Sequence, residues 1–170
     1  MDFKLRPWKK DDLENLVKHA NNFEIAKNMM DDFPHPYTQK EGEKFLEMVS
    51  KQKPPLILAI EVEGEAAGSI GLHPQKDIIR KNGELGYWLS QTFWGKGIIT
   101  KSIKQMVDYG FDKLEIERIF ARPFGTNIAS QKALEKAGFK LEAHLENTLY
   151  KNQEYQDELI YAIRKKWFDK

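Results

Sequence analysis

Two glycines separated by one lysine are the residues of this sequence whose types and spacing most clearly indicate chemistry. Gly95, Lys96 and Gly97 stand between a predicted strand, 82–89, and a predicted helix that begins near Ile99. Glycine has no Cβ, so its backbone N–H groups can approach a ligand closely, and the first N–H groups of a helix lack partners within that helix. The positive end of the helix dipole also favours a phosphate there. The spacing therefore predicts an anion-binding loop.

Two common phosphate-binding patterns do not fit this segment. A Walker A loop needs a glycine five positions before Gly-Lys, where Ser90 stands, and a serine or threonine after the lysine, where Gly97 stands. A dinucleotide fingerprint needs a third glycine or alanine at the position of Thr100. The loop is therefore expected to bind its anion in another structural context.

Two segments of the chain resemble motifs of the GNAT superfamily of N-acetyltransferases. The run from Trp94 to Ile99 is similar to motif A, whose core pattern is Gln/Arg-x-x-Gly-x-Gly/Ala, with Trp94 and Ile99 as departures. The run from Asn127 to Phe139 is similar to motif B of the RimJ/RimL-like branch, Asn-x-x-Ser followed by a short helix that ends in Lys-x-Gly-Phe. Its ends agree with helix capping, since Asn127 is a good N-cap and Gly138 suits the residue after the last turn. The resemblance spans nearly the whole chain.

This resemblance implies the GNAT fold, an α/β (α+β) architecture. Its central sheet is mixed, mostly antiparallel and twisted, has about six to seven strands, is splayed in the middle and carries helices on both faces. The implied cosubstrate is acetyl-CoA, whose pantetheine arm pairs in the splay like an extra strand, and no metal is implied. The residues expected to bind the cosubstrate belong to the glycine loop, its flanks and motif B: Leu89, Trp94, Gly95, Lys96, Gly97, Ile98, Ile99, Thr100, Asn127 and Ser130.

Direct transfer of an acetyl group to an amine requires a general base, stabilisation of the oxyanion and a proton for the leaving thiolate. The resemblance implies Glu84 as the base and Ser130 as the thiolate's proton donor. Strand alternation places Glu84 and Trp88 on one face, and an apolar ring beside a carboxylate raises the pKa of that carboxylate. The alternative is a solvated Glu84 paired with a nearby Lys or Arg.

The sequence departs from the family pattern at two catalytic positions. Leu134 stands where many GNAT enzymes have a tyrosine acid, so Ser130, Tyr150 or a water would have to protonate the thiolate. RimL-like members also carry a glutamate in the penultimate strand, and Glu142 and Glu146 are close to that place but shifted. Two alternatives therefore remain open: a coenzyme A binding protein without catalysis, and an acetyltransferase for a small-molecule amine such as a polyamine or an antibiotic.

The acceptor is expected to bind between the first helices, where substrate loops of the family lie, since loops commonly carry specificity. The residues predicted to line its pocket are Trp8, Phe33, His35 and Tyr37. The expected acceptor is a protein or peptide N-terminal amine. An α-amino group has a pKa near ~8, against ~10.4 for lysine, so it demands less of a weakly specified base.

Composition excludes several other classes of function. The 170 residues, 41% of them hydrophobic, suit one domain over 1–170, and the net charge of +1 gives no basic field for nucleic acid. The absence of cysteine excludes disulfides, thiolate zinc sites and a cysteine acyl-enzyme. Four scattered histidines do not suggest a metal site. No signal region or membrane-length apolar run is visible, so we expect a cytoplasmic protein without a membrane partner. The expected oligomeric state is a monomer or a homodimer.

Hydrophobic periodicity predicts the elements that must position these residues. Strands are expected over 3–6, 56–62, 66–72, 82–89, 118–122, 140–149 and 154–163. Helices are expected from Asp11, over 22–30, after a capping box at 38–41, over 99–114 and after Asn127.

Overall fold

Seven strands form one mixed sheet in the computed structural model, which describes residues 1–168. The strands are β1 (Phe3–Pro7), β2 (Ile57–Val62), β3 (Glu65–Pro74), β4 (Asn82–Leu89), β5 (Arg118–Ala121), β6 (Lys140–Lys151) and β7 (Glu154–Arg164). Their order across the sheet is β1-β2-β3-β4-β5-β7-β6. β4 and β5 run parallel, whereas β1–β2, β2–β3, β5–β7 and β6–β7 are antiparallel. The predicted α+β fold with a mixed, mostly antiparallel sheet is confirmed.

The helices are α1 (Leu13–Ala20), α2 (Phe23–Ala26), α3 (Gln39–Ser50), α4 (Ile98–Lys113), α5 (Ile128–Lys136) and α6 (Lys165–Phe168). The predicted helix over 22–30 is too long, because α2 ends at Ala26. After that residue the backbone closes tight turns, in which the N–H of Asn28 donates to Ile25 and that of Met29 to Ala26. Such bonds to the third preceding residue tighten and end a helix.

The chain divides into two compact units that alternate along the sequence. The first comprises Met1–Gly71 and Tyr87–Ile98. Gly42 of α3 permits a close approach to α1, since a Cβ there would lie 2.8 Å from Cδ1 of Leu13. The buried core of this unit gathers residues from α1, α2, α3, β4 and the loop before α3: Leu16, Ala20, Ile25, Tyr37, Leu46, Val49 and Trp88.

The second unit comprises Leu72–Gly86 and the chain from Ile99 onward. Gly110 of α4 sits directly against the sheet, because a Cβ at this position would lie 2.5 Å from Cδ1 of Leu72. α5 is tied to β7 by the Tyr161 hydroxyl, which donates to Oε1 of Glu135 over 2.9 Å. α4 and α5 therefore both pack on strands of this unit.

The pairing of β4 with β5 is short. Asn82 pairs with Arg118, and the last of the three described pairs joins Glu84 to Phe120, although β4 continues to Leu89. β5 itself ends at Ala121, so the short ladder follows from the short strand, and the expected opening of the sheet stays a prediction.

Candidate active site

The glycine loop adopts a backbone conformation that other residues rarely accept. Gly95 and Gly97 have φ values of +74° and +75°, in the left-handed region. A Cβ built on either residue would meet no atom within 4 Å among the described residues, so the space over the loop is open. α4 begins at Ile98, directly after Gly97, and its first N–H groups have no partner within the helix. The loop thus has the open backbone and the helix start that an anion cradle needs.

Side chains around the loop fix its ends. The Trp94 indole N–H donates to the carbonyl of Leu89 over 2.7 Å, which ties the loop to the end of β4. The Lys96 Nζ lies 5.3 Å from the centroid of the Phe93 ring, a cation–π contact. Ile98 is buried, so its side chain belongs to the core and is not available to a ligand. The predicted cosubstrate contacts of these residues stay predictions.

Asn127 caps α5, as its position in the sequence predicts. Its Oδ1 accepts a hydrogen bond from the backbone N–H of Ser130 over 3.2 Å. Both residues are partly exposed, and a role of the Ser130 hydroxyl in protonating a thiolate stays a prediction. Leu134, on the same helix, is completely buried, so the position where the family has a tyrosine belongs to the core here.

Glu84 forms an ion pair. Arg122 donates from Nε to Oε1 of Glu84 over 2.9 Å, and its Nη1 lies 3.5 Å from Oε1 of Glu158. Burial opposes the charge of Arg122, but the hydrogen bond and charge of Glu84, together with Glu158, raise the pKa of the guanidinium. Glu84 therefore forms the ion pair with a nearby arginine that was the alternative to a base beside an apolar ring. Trp88 lies in the core of the first unit. Arg122 and Glu158 were not predicted.

The shifted glutamates differ in their environments. Glu142 accepts hydrogen bonds from Arg118 and Arg164, and the pKa of Glu142 is lowered chiefly by the bond from Arg118. Glu146 is exposed. Tyr150 is also exposed and its ring centroid lies 5.1 Å from that of Tyr155, near the turn of the β6–β7 hairpin. Glu142 thus serves an ion-pair network within the second unit.

The residues predicted to line an acceptor pocket separate into two groups. Tyr37 is only 5% exposed and belongs to the core of the first unit, where burial, followed by the charge of Glu41, raises the pKa of Tyr37 to about 12. Phe33 and Trp8 pack against the same core. His35 is exposed. An aromatic residue in a loop can fill a core as well as a pocket, and the predicted ligand contact of Tyr37 stays a prediction.

A polar pocket in the first unit was not predicted. Its volume is about 400 Å³, and its lining comes from the end of α1, the α1–α2 junction and the residues after β4: Lys18, His19, Asn21, Asn22, Ser90, Gln91 and Thr92. His19 and Ser90 are both buried, and the imidazole lies between the Ser90 hydroxyl and the Glu65 carboxylate. This pocket contains a nucleophilic oxygen and a titratable ring side by side.

Residues 1–168 contain no group of three or more His, Asp or Glu side chains placed to hold a metal ion. No helix among them combines the length and apolar character that crossing a membrane would require.

Comparison with protein families gives one match over most of the chain. The model of the acetyltransferase (GNAT) domain matches residues 2–140. The protein named "Putative ribosomal N-acetyltransferase YdaF" from Bacillus subtilis (strain 168) is 33% identical over 104 residues, which are 61% of this chain and 56% of that protein. Spermidine N(1)-acetyltransferase from Escherichia coli (strain K12) is 23% identical over 162 residues, 94% of this chain and 84% of that protein.

The chain spans about half the length of three Bacillus relatives, from 44% to 56%. Among solved structures, RimL, a ribosomal L7/L12 alpha-N-protein acetyltransferase in complex with coenzyme A, superposes with a TM-score of 0.82 at 22% identity, covering 95% of this chain and 93% of that one. This likeness establishes the fold.

Proposed function

We propose that this chain, which belongs to the acetyltransferase (GNAT) family, transfers an acetyl group from acetyl-CoA to a primary amine by direct attack within a ternary complex. The family follows from the match over residues 2–140. The observation that carries the proposal is the open glycine loop at the start of α4, where added Cβ atoms would meet nothing within 4 Å. A reaction of this type needs a bound thioester and a deprotonated amine at the same site.

The residues of the loop fit the anionic part of coenzyme A. Backbone N–H groups of Gly95, Gly97 and the first turn of α4 would hold the pyrophosphate, and Lys96 would add positive charge. Asn127 and Ser130 are proposed as further contacts. Acetyl-CoA, when bound, supplies an acetyl group activated as a thioester. The chain's own task is then to orient that group and to manage the protons of the amine and the thiolate.

We propose a protein or peptide N-terminal amine as the acceptor. RimL is described as an alpha-N-protein acetyltransferase of a ribosomal protein, and YdaF is named as a ribosomal N-acetyltransferase. The lower pKa of an α-amine also makes its deprotonation easier than that of lysine. Spermidine N(1)-acetyltransferase, matched over 94% of this chain, supports a polyamine as the second candidate acceptor.

The proton acceptor and donor of the reaction are proposals too. Glu84 is the first candidate for the base, as the family resemblance implies, and Ser130 is proposed as the proton donor to the thiolate. Arg122 already holds Glu84 in an ion pair, and service as a base would weaken that interaction. A basic group that is not already neutralised by an arginine would avoid this cost.

Three measurements on the wild-type chain test the proposed function. Acetyl-CoA should raise the melting temperature, because a ligand selective for the folded state stabilises it. Thiol release should then depend on an added amine, and mass spectrometry should find the acetyl group on N-terminal peptides at a higher kcat/KM than on spermidine or on peptides whose only amine is a lysine. A preference for spermidine would assign the second acceptor instead. Binding without product from any amine in the panel would indicate a coenzyme A binding protein and refute the enzyme.

A further inference from the structure

Glu65, His19 and Ser90 form a continuous hydrogen-bonded chain in the first unit. Nε2 of His19 lies 2.8 Å from Oε2 of Glu65, and Nδ1 lies 3.0 Å from Oγ of Ser90. The His19 and Ser90 residues are 8% and 5% exposed, whereas the Glu65 side chain is 40% exposed. The chain thus runs from a hydroxyl and an imidazole that line the polar pocket to a carboxylate in contact with solvent.

The partners of this chain determine where its hydrogens lie. The hydrogen bond from Lys18, followed by that from His19, lowers the pKa of Glu65, so the Glu65 carboxylate only accepts. Nε2 of a neutral His19 must therefore carry the hydrogen that points to Glu65, and Nδ1 is left with a lone pair. The Ser90 hydroxyl then donates to Nδ1. This arrangement leaves the lone pairs of Oγ able to accept a further hydrogen bond.

We propose that the polar pocket binds the acceptor's primary amine beside Ser90, and that the Ser90–His19–Glu65 chain removes its proton during acetyl transfer. This inference rests on the proposed function and names the residues that serve it. As the nitrogen forms its bond to the acetyl carbon, the C–S bond breaks and its electron pair leaves with the thiolate. One N–H proton passes to Oγ of Ser90 while the hydroxyl proton passes to Nδ1 of His19. Ser90 ends as it began, and His19 becomes an imidazolium facing Glu65.

The charges around His19 suit this transfer. Glu65 stabilises the imidazolium, and Lys18, whose Nζ lies 2.8 Å from Oε2 of Glu65, moderates that effect. The remaining described contact of the ring is aromatic, with the centroid of Phe93 at 6.4 Å. The contrast with Glu84 favours this chain, because a neutral His19 can accept a proton without separating an arginine ion pair. Glu65 acts through His19 and is a positioning residue.

The lining of the pocket also distinguishes between the two candidate acceptors. Besides His19 and Ser90, the lining consists of two asparagines, one glutamine, one threonine and the cation Lys18. None of these lining residues is a carboxylate. Asn22 donates to Oε1 of Gln91 over 2.9 Å, so the amides are already ordered. Amide and hydroxyl groups suit the backbone of a peptide, whereas a polyamine would require compensating negative charge. The pocket therefore favours a peptide that presents one amine.

Variants of the whole protein can separate a catalytic role of the Ser90–His19–Glu65 relay from a structural role of the same residues. His19→Gln and Ser90→Ala should each lower kcat for an N-terminal peptide by about 10²-fold, since general base catalysis contributes 10²- to 10⁴-fold, and acetyl-CoA should still raise their melting temperatures. Glu65→Gln should lower kcat while the KM for the peptide stays close to that of wild type, because an amide in place of the carboxylate stabilises the imidazolium formed during transfer less well. His73→Gln and Glu14→Gln, both at exposed positions, are the matched controls and should leave kcat and KM unchanged.

The outcomes distinguish the two levels of the proposal. The relay is wrong if wild type acetylates the peptide and His19→Gln keeps the wild-type kcat. It is also wrong if kcat falls in Glu84→Gln alone. In both cases the proposed acetyltransferase activity stands. Intact-protein mass spectrometry that finds an acetyl group on Ser90 would also overturn it, because Ser90 would then be a nucleophile. A wild type without product refutes the proposed function and the relay together. If His19→Gln does not fold, Glu65→Gln decides, since an unchanged kcat in that variant overturns the relay.

Discussion

Replacing Gly97 by alanine separates the backbone strain of the glycine loop from its role in binding. Gly97 has a φ of +75°, and an added Cβ meets nothing within 4 Å, so the cost in the free protein is conformational alone. A left-handed conformation costs a non-glycine residue about 1–2 kcal/mol. For a chain of this size, 1 kcal/mol shifts the melting temperature by about 2–4 °C, which gives a drop of about 2–8 °C for Gly97→Ala.

Gly64 provides the matched control for this change. It has a φ of +85°, its Cβ would also meet nothing within 4 Å, and it lies in the turn between β2 and β3. Gly64→Ala should therefore lose a similar amount of stability while binding acetyl-CoA like wild type.

Gly97→Ala should additionally weaken acetyl-CoA binding, because its methyl group would occupy the open space over the loop and keep the proposed pyrophosphate from reaching one backbone N–H. The loss of one hydrogen bond to a charged group costs about 1.5–3 kcal/mol, and each ~1.4 kcal/mol is tenfold in affinity, so the dissociation constant should rise about 10- to 100-fold. Gly97→Asp adds a like charge against a phosphate and should bind less tightly still. Isothermal titration calorimetry on the folded variants measures both effects. Equal affinities in Gly97→Ala, Gly64→Ala and wild type would refute the cradle and place the pyrophosphate elsewhere.

Three further predictions address the cap of α5, an ion pair and the base. Asn127→Ala removes the acceptor for the Ser130 N–H and should lower the free energy of unfolding by about 1 kcal/mol in urea titrations, whereas Asn127→Asp should retain most of it. Asp12 is held by two 2.8 Å bonds from Arg6, which, against the effect of burial, lower the pKa of Asp12. The contribution of this pair to the free energy of unfolding should be complete above pH ~4 and lost as the pH falls through the lower pKa of Asp12 in the folded protein. Asp12→Asn should remove about 1.5–3 kcal/mol of that free energy at pH 6, and stability should then depend less on pH in the acidic range. Glu84→Gln should lower kcat less than His19→Gln does in the same peptide assay, and the reverse order would restore Glu84 as the base.

Local patterns in the sequence were sufficient to predict most of the fold. Alternation predicted β4 with its observed bounds, and the N-cap Thr38 predicted the start of α3, where Oγ1 accepts from the N–H of Glu41. These features depend on neighbours within a few residues. The α2 helix was overestimated because its apolar residues continue to Met30 while the backbone already turns after Ala26.

The side-chain partners in the candidate site depend on distant residues, so spacing did not predict them. Glu84 and Arg122 are 38 positions apart, and His19 lies 46 positions from Glu65 and 71 from Ser90. Glu65 and Ser90 come close because the ends of two neighbouring strands meet, where the backbone N–H of Ser90 donates to the carbonyl of Ala67 over 2.8 Å. No feature of the sequence pointed to the third member, which comes from α1.

The complete burial of Leu134 restricts how this chain could evolve. A tyrosine at this position would add a ring and a hydroxyl to a space that is already filled, and overpacking of this kind costs about 1–3 kcal/mol before the hydroxyl finds a partner. A single mutation to the family's usual acid would therefore lose stability before it gained any chemistry. Compensating changes in the neighbouring core would have to come first, so one substitution alone cannot give this helix a tyrosine acid without a loss of stability.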